Sequence, residues 1–127
     1  DADAFLRQAE ALPRRPGHLL VALTADDMAH PVFTFFFGRA RRGGDSVVVS
    51  LARLTPAFYG LPDDRETTLR RAVQEVLHEI GHALGLGHCP DAGCVMRFSS
   101  SVEALDTRGT GWCAACRAGL PRAVAIA

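Results

Sequence analysis

The sequence predicts an α/β fold with a small mixed, twisted sheet, one long helix and an irregular C-terminal subdomain. Three observations carry this. Runs rich in β-formers stand at Leu19–Leu23, Val32–Gly38 and Val47–Ser50. A stripe of Leu69, Val73, Val76, Leu77, Ile80 and Leu84 then recurs at helical spacing. Beyond Gly87 periodicity fades and Gly, Ser and Cys dominate. Strands followed by a long amphipathic helix imply a layered α/β arrangement. The 127 residues amount to a single compact domain. Residues 1–87 are expected to hold the sheet and main helices, and residues 88–127 the subdomain.

Each element has its own warrant. Ala2–Leu12 carries Phe5, Leu6, Ala9 and Leu12 on one helical face, and Pro13, Pro16 and Gly17 end it. Leu19–Leu23 is continuously apolar, which suits a strand buried on both faces. Val32–Gly38 reads as a second strand, and Gly43-Gly44 marks a turn into Val47–Ser50, so a hairpin is expected. Leu51–Leu61 is broken by Pro56 and Gly60 and reads as irregular. Asp63 with Glu66 forms an Asp-x-x-Glu variant of the capping box that opens the long helix, and Gly85 and Gly87 close it. Ser101–Leu105 suggests one helical turn, and Cys113–Leu120 a short helix.

Fourteen Arg and no Lys balance fourteen acidic residues. That neutrality removes the electrostatic footprint of a dedicated nucleic-acid binder. No apolar run approaches the roughly 20 residues needed to span a bilayer. Neither nucleic acid nor membrane is expected as a partner. With no signal peptide visible, a cytoplasmic monomer is the expectation.

His78-Glu79-Ile80-Gly81-His82 places two imidazoles one turn apart on one helix face, where a single Zn²⁺ can bridge them. Glu79 lies about 100° round the helix, able to reach the open side of the metal without ligating it. Gly85 tolerates positive φ and lets the chain turn back so that His88 can complete the set. Three imidazoles and one vacant position describe a catalytic zinc rather than a structural one. The full H-E-x-x-H-x-x-G-x-x-H arises by chance in this composition on the order of 10⁻⁵.

Cys89-x4-Cys94 and Cys113-x2-Cys116 make a second set, matching a closed four-cysteine zinc site. The alternative is two disulfides, in any of three connectivities. Nothing in the sequence points to an oxidising compartment, and a chain of this size folds without bridges.

The zinc motif runs directly into Cys89, then Cys94, Met96 and Cys113-x-x-Cys116. This combination resembles the archaemetzincin family of zinc peptidases, over roughly residues 19–116. Ser50–Leu54 and Phe58-Tyr59-Gly60 resemble family sequence upstream of the active helix. The resemblance implies a metzincin-like fold whose C-terminal subdomain is stapled by zinc. It also implies that Met96 forms the Met-turn beneath the catalytic metal, and that the chain begins after a first strand carried by family members. The gap from Met96 to Cys113 is one residue shorter than the family pattern. Two zinc ions are expected, one catalytic on His78, His82 and His88, one structural on Cys89, Cys94, Cys113 and Cys116. The structural ion would hold His88 in place through its neighbour Cys89.

The expected activity is hydrolysis of peptide bonds, in short peptides, with Glu79 as general base toward a zinc-activated water. Aminopeptidase and endopeptidase action are both open. The substrate would lie extended along an edge strand, for which Val32–Gly38 is the candidate. The alternative is a zinc-binding module of the same fold without efficient peptidase activity. Among the remaining polar residues, His18 and His30 read as structural or surface, and Asp26-Asp27 as a loop or cap. Asp106 reads as a helix cap rather than a group orienting a metal ligand, and Tyr59 as a packing aromatic rather than an oxyanion donor. Trp112 reads as a cover for the four-cysteine site, and Arg41-Arg42 as solvated.

Overall fold

The computed structural model describes residues 1–29, 32 and 35–121. Helix α1 spans Ala2–Glu10, with the Asp1 carboxylate capping the Asp3 N–H. It buries Ala2, Leu6 and Ala9, whereas Leu12 lies past its end and is exposed. Strands β1 (Leu20–Thr24), β2 (Gly38–Ala40) and β3 (Ser46–Ser50) form a sheet ordered β1-β3-β2. β1 runs parallel to β3 and β2 antiparallel to it, so the sheet is mixed as expected.

Every residue of β3 is buried, because helices cover both faces of the central strand. Val48 points to α1, packing with Leu6 and Met28. Val47 and Val49 point the other way, into a cluster with Leu54, Ala72 and Leu105. β1 departs from the expectation of burial on both faces. Leu20 and Ala22 pack against α1, but Val21 and Leu23 are 41% and 57% exposed. The sheet ends at β1 among the described residues, so that face lacks a covering layer.

The strand expected at Val32–Gly38 falls partly on residues that are not described, and the described strand begins at its last residue, Gly38. Phe33 and Thr34 lie outside the described residues. Phe36 forms an isolated bridge to Met28, and the regular register with β3 begins at Gly38. The hairpin survives with that shift: β2 reaches β3 through a turn closed by Gly44 N–H donating to the Arg41 carbonyl.

Helix α2 spans Arg65–Ala83. Its cap is Asp64, not Asp63: the Asp64 carboxylate accepts from the Glu66 and Thr67 N–H groups and from the Thr67 hydroxyl. Asp64 displaces the box expected between Asp63 and Glu66 because Thr67 gives it a third donor. Nor is the aliphatic stripe the buried face throughout. Val76 and Ile80 pack inward, but Leu69 is 65% exposed, while Gln74, Glu75, His78 and Glu79 are buried. A helix that carries chemistry must turn polar side chains inward.

A 3₁₀ turn at Pro56–Tyr59 sits in the stretch read as irregular. Helices α3 (Val102–Thr107) and α4 (Ala114–Gly119) match the short helices expected near the C-terminus. Asp106 is not a cap and orients no ligand. It accepts a two-pronged ion pair from Arg71 and a further bond from Arg70, tying α3 to α2. Among the described residues no helix is long and apolar enough to cross a membrane.

Candidate metal centres and cleft

The C-terminal end of α2 supplies His78 and His82 on one face. Beyond it Gly85 takes a φ of 101°, and the chain folds back so that Leu86 N–H donates to the Gly81 carbonyl. His88 thereby faces the other two rings, its centroid 5.4 Å from that of His78 and 4.9 Å from that of His82. One nitrogen from each of the three rings falls within a 4.8 Å group.

The backbone sets the tautomers. His78 Nδ1 lies 2.7 Å from the Val95 carbonyl, and His82 Nδ1 lies 2.8 Å from the Leu86 carbonyl. A carbonyl can only accept, so each Nδ1 carries the proton and each Nε2 presents a lone pair. The two Nε2 atoms are 3.1 Å apart with no proton between them, an arrangement that a shared cation relieves. Tetrahedral zinc with bonds near 2.05 Å would set ligand nitrogens about 3.4 Å apart. Burial lowers the proton affinity of all three rings, holding the His78 pKa down at about 3. Neutral imidazoles are what a metal requires.

Glu79 is buried at the cleft wall beside β2. A Cβ on Gly38 would stand 2.8 Å from Glu79 Cγ, so the strand passes the carboxylate only because residue 38 has no side chain. Burial, and then the charge of Glu75, push the Glu79 pKa up to about 8. The cleft is about 540 Å³, and Phe36, Glu79, His82 and Phe98 lie along it. Strand β2, Gly38–Ala40, lines it together with Phe35, Phe36 and Phe37 of the segment expected to be the edge strand.

The four cysteines also converge. Cys89 and Cys113 sulfurs are 3.8 Å apart, and Cys94 and Cys116 sulfurs 3.7 Å. These separations are far beyond a disulfide bond of about 2.05 Å. They match the edge of a tetrahedron with metal–sulfur bonds of about 2.3 Å, roughly 3.8 Å. Met96 and Cys113 N–H groups both donate to Cys94 Sγ. A bond from the Cys116 backbone N–H lowers the Cys113 pKa to about 7, while Cys89 and Cys116 are raised. Trp112 packs buried in the same cluster.

The two sets share a scaffold. Cys89 N–H donates to the Met96 carbonyl, and Val95, whose carbonyl holds His78, sits between Cys94 and Met96. Met96 is wholly buried, and its sulfur packs so close to Gly81 that a Cβ there would clash with it.

The other polar candidates fall outside the cleft. Tyr59 hydroxyl donates to the Arg53 carbonyl. Asp27 pairs with Arg53 through both oxygens, His18 is exposed, and Arg41 pairs with Glu10 at the surface. His30 lies outside the described residues. Sequence reasoning missed Arg108 and Glu75, a buried ion pair with Arg108 Nη2 2.7 Å from Glu75 Oε1, which also lines the cleft.

Residues 10–122 match the family described as peptidase family M54. The chain belongs to peptidase family M54. An archaemetzincin of Pyrococcus horikoshii is 49% identical over 90 residues, which are 71% of this chain and 48% of that protein. The crystal structure of archaemetzincin from Methanopyrus kandleri superposes with a TM-score of 0.80 at 41% identity, covering 91% of this chain and 60% of that one. A zinc-dependent peptidase from Methanocorpusculum labreanum gives a TM-score of 0.79 at 30% identity, covering 94% of this chain and 69% of that one. The chain thus spans about half the length of the Pyrococcus relative, and its fold is the metzincin-like α/β fold of the M54 structures.

Proposed function

We propose that this chain is a zinc metallopeptidase that hydrolyses peptide bonds in short peptides. The observation that carries the reading is the set of three neutral imidazoles beside a buried carboxylate with a raised pKa, all on one open cleft. His78, His82 and His88 would hold the catalytic zinc, and Cys89, Cys94, Cys113 and Cys116 a second, structural zinc. When bound, zinc supplies Lewis acidity, polarising the peptide carbonyl and bringing the pKa of a water toward about 7. Glu79 takes the proton of the attacking water and later hands it to the leaving amine. Its high proton affinity suits both transfers, since a group that titrates near the working pH can accept and donate. The Val95 and Leu86 carbonyls keep His78 and His82 in the tautomer that points Nε2 at the metal. Met96, packed under Gly81, forms the base of the site in the manner of a Met-turn. An extended peptide pairs with the free edge of β2. Residues 1–87 supply the sheet, the helix and two ligands; residues 88–127 supply the third ligand and the staple.

Cleavage of a mixed peptide library by zinc-loaded protein tests this, with Glu79→Gln as the control. The near-isosteric amide keeps the imidazoles in place but cannot accept a proton. The expected loss is at least 10²-fold at matched zinc content, the usual scale of general-base assistance being roughly 10²–10⁴. Zinc bound without cleavage of any peptide would favour the non-catalytic binding module. Full activity in Glu79→Gln would remove Glu79 from the mechanism.

A further inference from the structure

Arg108 is the most connected buried cation in the C-terminal half among the described residues. Its side chain is 1% exposed and that of Glu75 is 5%. Nη2 donates to Glu75 Oε1 at 2.7 Å, and Nη1 donates to the Arg97 carbonyl at 2.7 Å and lies 3.4 Å from both Ser99 Oγ and His78 Nδ1. Its own carbonyl accepts from Gln74 Nε2 at 2.9 Å, which adds a second tie to α2. Breaking a buried pair by removing one partner leaves an uncompensated charge, so each partner depends on the other to stay buried.

The target of these bonds is what gives them a role. Phe98, Ser99 and Ser100 form one wall of the cleft. The Phe98 ring stands 5.3 Å from that of His88, although most of its surface is exposed. Among the described residues, Arg108 is the one donor to a backbone carbonyl of residues 97–100. Without that bond the wall is anchored by the turn at Cys94, by Arg97 Nη1 donating to the Pro90 carbonyl and by the start of α3, and none of these bonds, among the described residues, ties it to α2. Across the cleft stand Phe35, Phe36 and Phe37. The lining is therefore rich in aromatic side chains, and two of its charged residues, Glu75 and Arg108, are paired with each other.

We propose that Arg108, braced by Glu75, is a specificity-determining positioning residue: it fixes residues 97–100 as the wall of a side-chain subsite beside the three imidazoles, which accepts a bulky apolar side chain flanking the scissile bond. The inference rests on the peptidase reading for its substrate, but not for the brace itself. Arg108 does not hold the metal; its shorter bond is to the wall, at the Arg97 carbonyl, and its contact with the His78 ring is the longer one.

Two measurements on the zinc-supplemented chain test it. The first compares two hydroxamic acids, one with an isobutyl side chain next to the hydroxamate and one with hydrogen there. Unmodified protein should prefer the isobutyl compound by at least about 10-fold. Arg108→Lys, whose one ammonium replaces the two Nη donors on Glu75 and Arg97, and the near-isosteric Glu75→Gln, whose neutral amide holds Arg108 less strongly, should bring the ratio below about 3-fold. A ratio is unaffected by the fraction of protein that is inactive, so a merely destabilised variant would keep it. The second is the backbone order parameter of residues 98–100 by NMR, expected near 0.85 in the unmodified chain and below about 0.6 in the variants. If Arg108→Lys does not fold, Glu75→Gln decides the outcome alone. An unchanged preference, or order parameters equal in the variant and the unmodified protein, overturns the proposal. If neither hydroxamate binds the unmodified chain, the peptidase reading fails, and the order parameters still decide the brace.

Discussion

Glu79 is held in a place that favours its proton. Burial is the larger cause, and Glu75, one helical turn earlier, adds a like charge. A carboxyl whose pKa is raised from about 4.5 to about 8 makes the folded state bind more protons than the unfolded one in that interval. Its contribution to stability is therefore full below pH 4.5 and declines as pH rises toward 8. In metal-free protein, the stability of the unmodified chain relative to Glu79→Gln should fall between those pH values, by no more than about 1.4 kcal/mol per pH unit. Above pH 8 the difference should level off. Urea denaturation of both proteins across the range measures it, and a difference independent of pH would contradict the burial described for this group. The ligands were legible in the sequence because their spacing is local: a four-residue period puts His78 and His82 together in any helix. Arg108 and Glu75 left no such mark. They stand 33 residues apart, and Glu75 reads in sequence as one more charge on an amphipathic helix.

At the scale of elements, α2 and the loop after it work as one unit. Gly81, inside the zinc motif, faces Met96: a Cβ there would lie 2.4 Å from the sulfur and 3.0 Å from Trp112 Nε1. Gly81→Ala forces two buried side chains to move, and overpacking of this kind costs about 1–3 kcal/mol. A lowered thermal midpoint with weakened zinc retention is expected; an unchanged midpoint would mean the Met96 contact is loose. Cys113→Ser tests the staple. A structural zinc contributes its binding free energy to folding, so this variant should lose one zinc per chain and melt at lower temperature. It should also retain the catalytic ion less firmly, because Cys89 N–H and the Met96 carbonyl join the two sites. Intact metal content with an unchanged melt would show the thiols to be incidental. The existence of the strands and of α2 could be read from periodicity, but the placement of β2 could not. Six apolar or β-branched residues from Val32 to Phe37 resemble a strand by composition. Pairing with β3 nevertheless starts at Gly38, where a residue without a side chain clears Glu79. Leu69 and Val73 likewise fit a buried stripe, and they are exposed because the inward face of α2 is taken up by the site.

Over the whole molecule, a formal net charge of zero is distributed as ion pairs that join elements: Arg39 to Asp3, Arg53 to Asp27, Arg71 to Asp106 and Arg108 to Glu75. Only the last is fully buried, with both partners lining the cleft; of the other three pairs, Arg39 also lines it. Around this frame the fold sets two metal-ligand groups of opposite character along one stretch of chain, three nitrogens open to the cleft and four sulfurs closed among apolar side chains. The measurement that tests this arrangement most directly is zinc content by elemental analysis together with zinc-edge X-ray absorption on the desalted, zinc-loaded protein. The account predicts two zinc ions per chain and a shell that averages, per zinc, to about two sulfurs near 2.3 Å and about one and a half nitrogens near 2.05 Å. One zinc per chain with a sulfur-only shell would leave the three imidazoles without a metal and contradict the account.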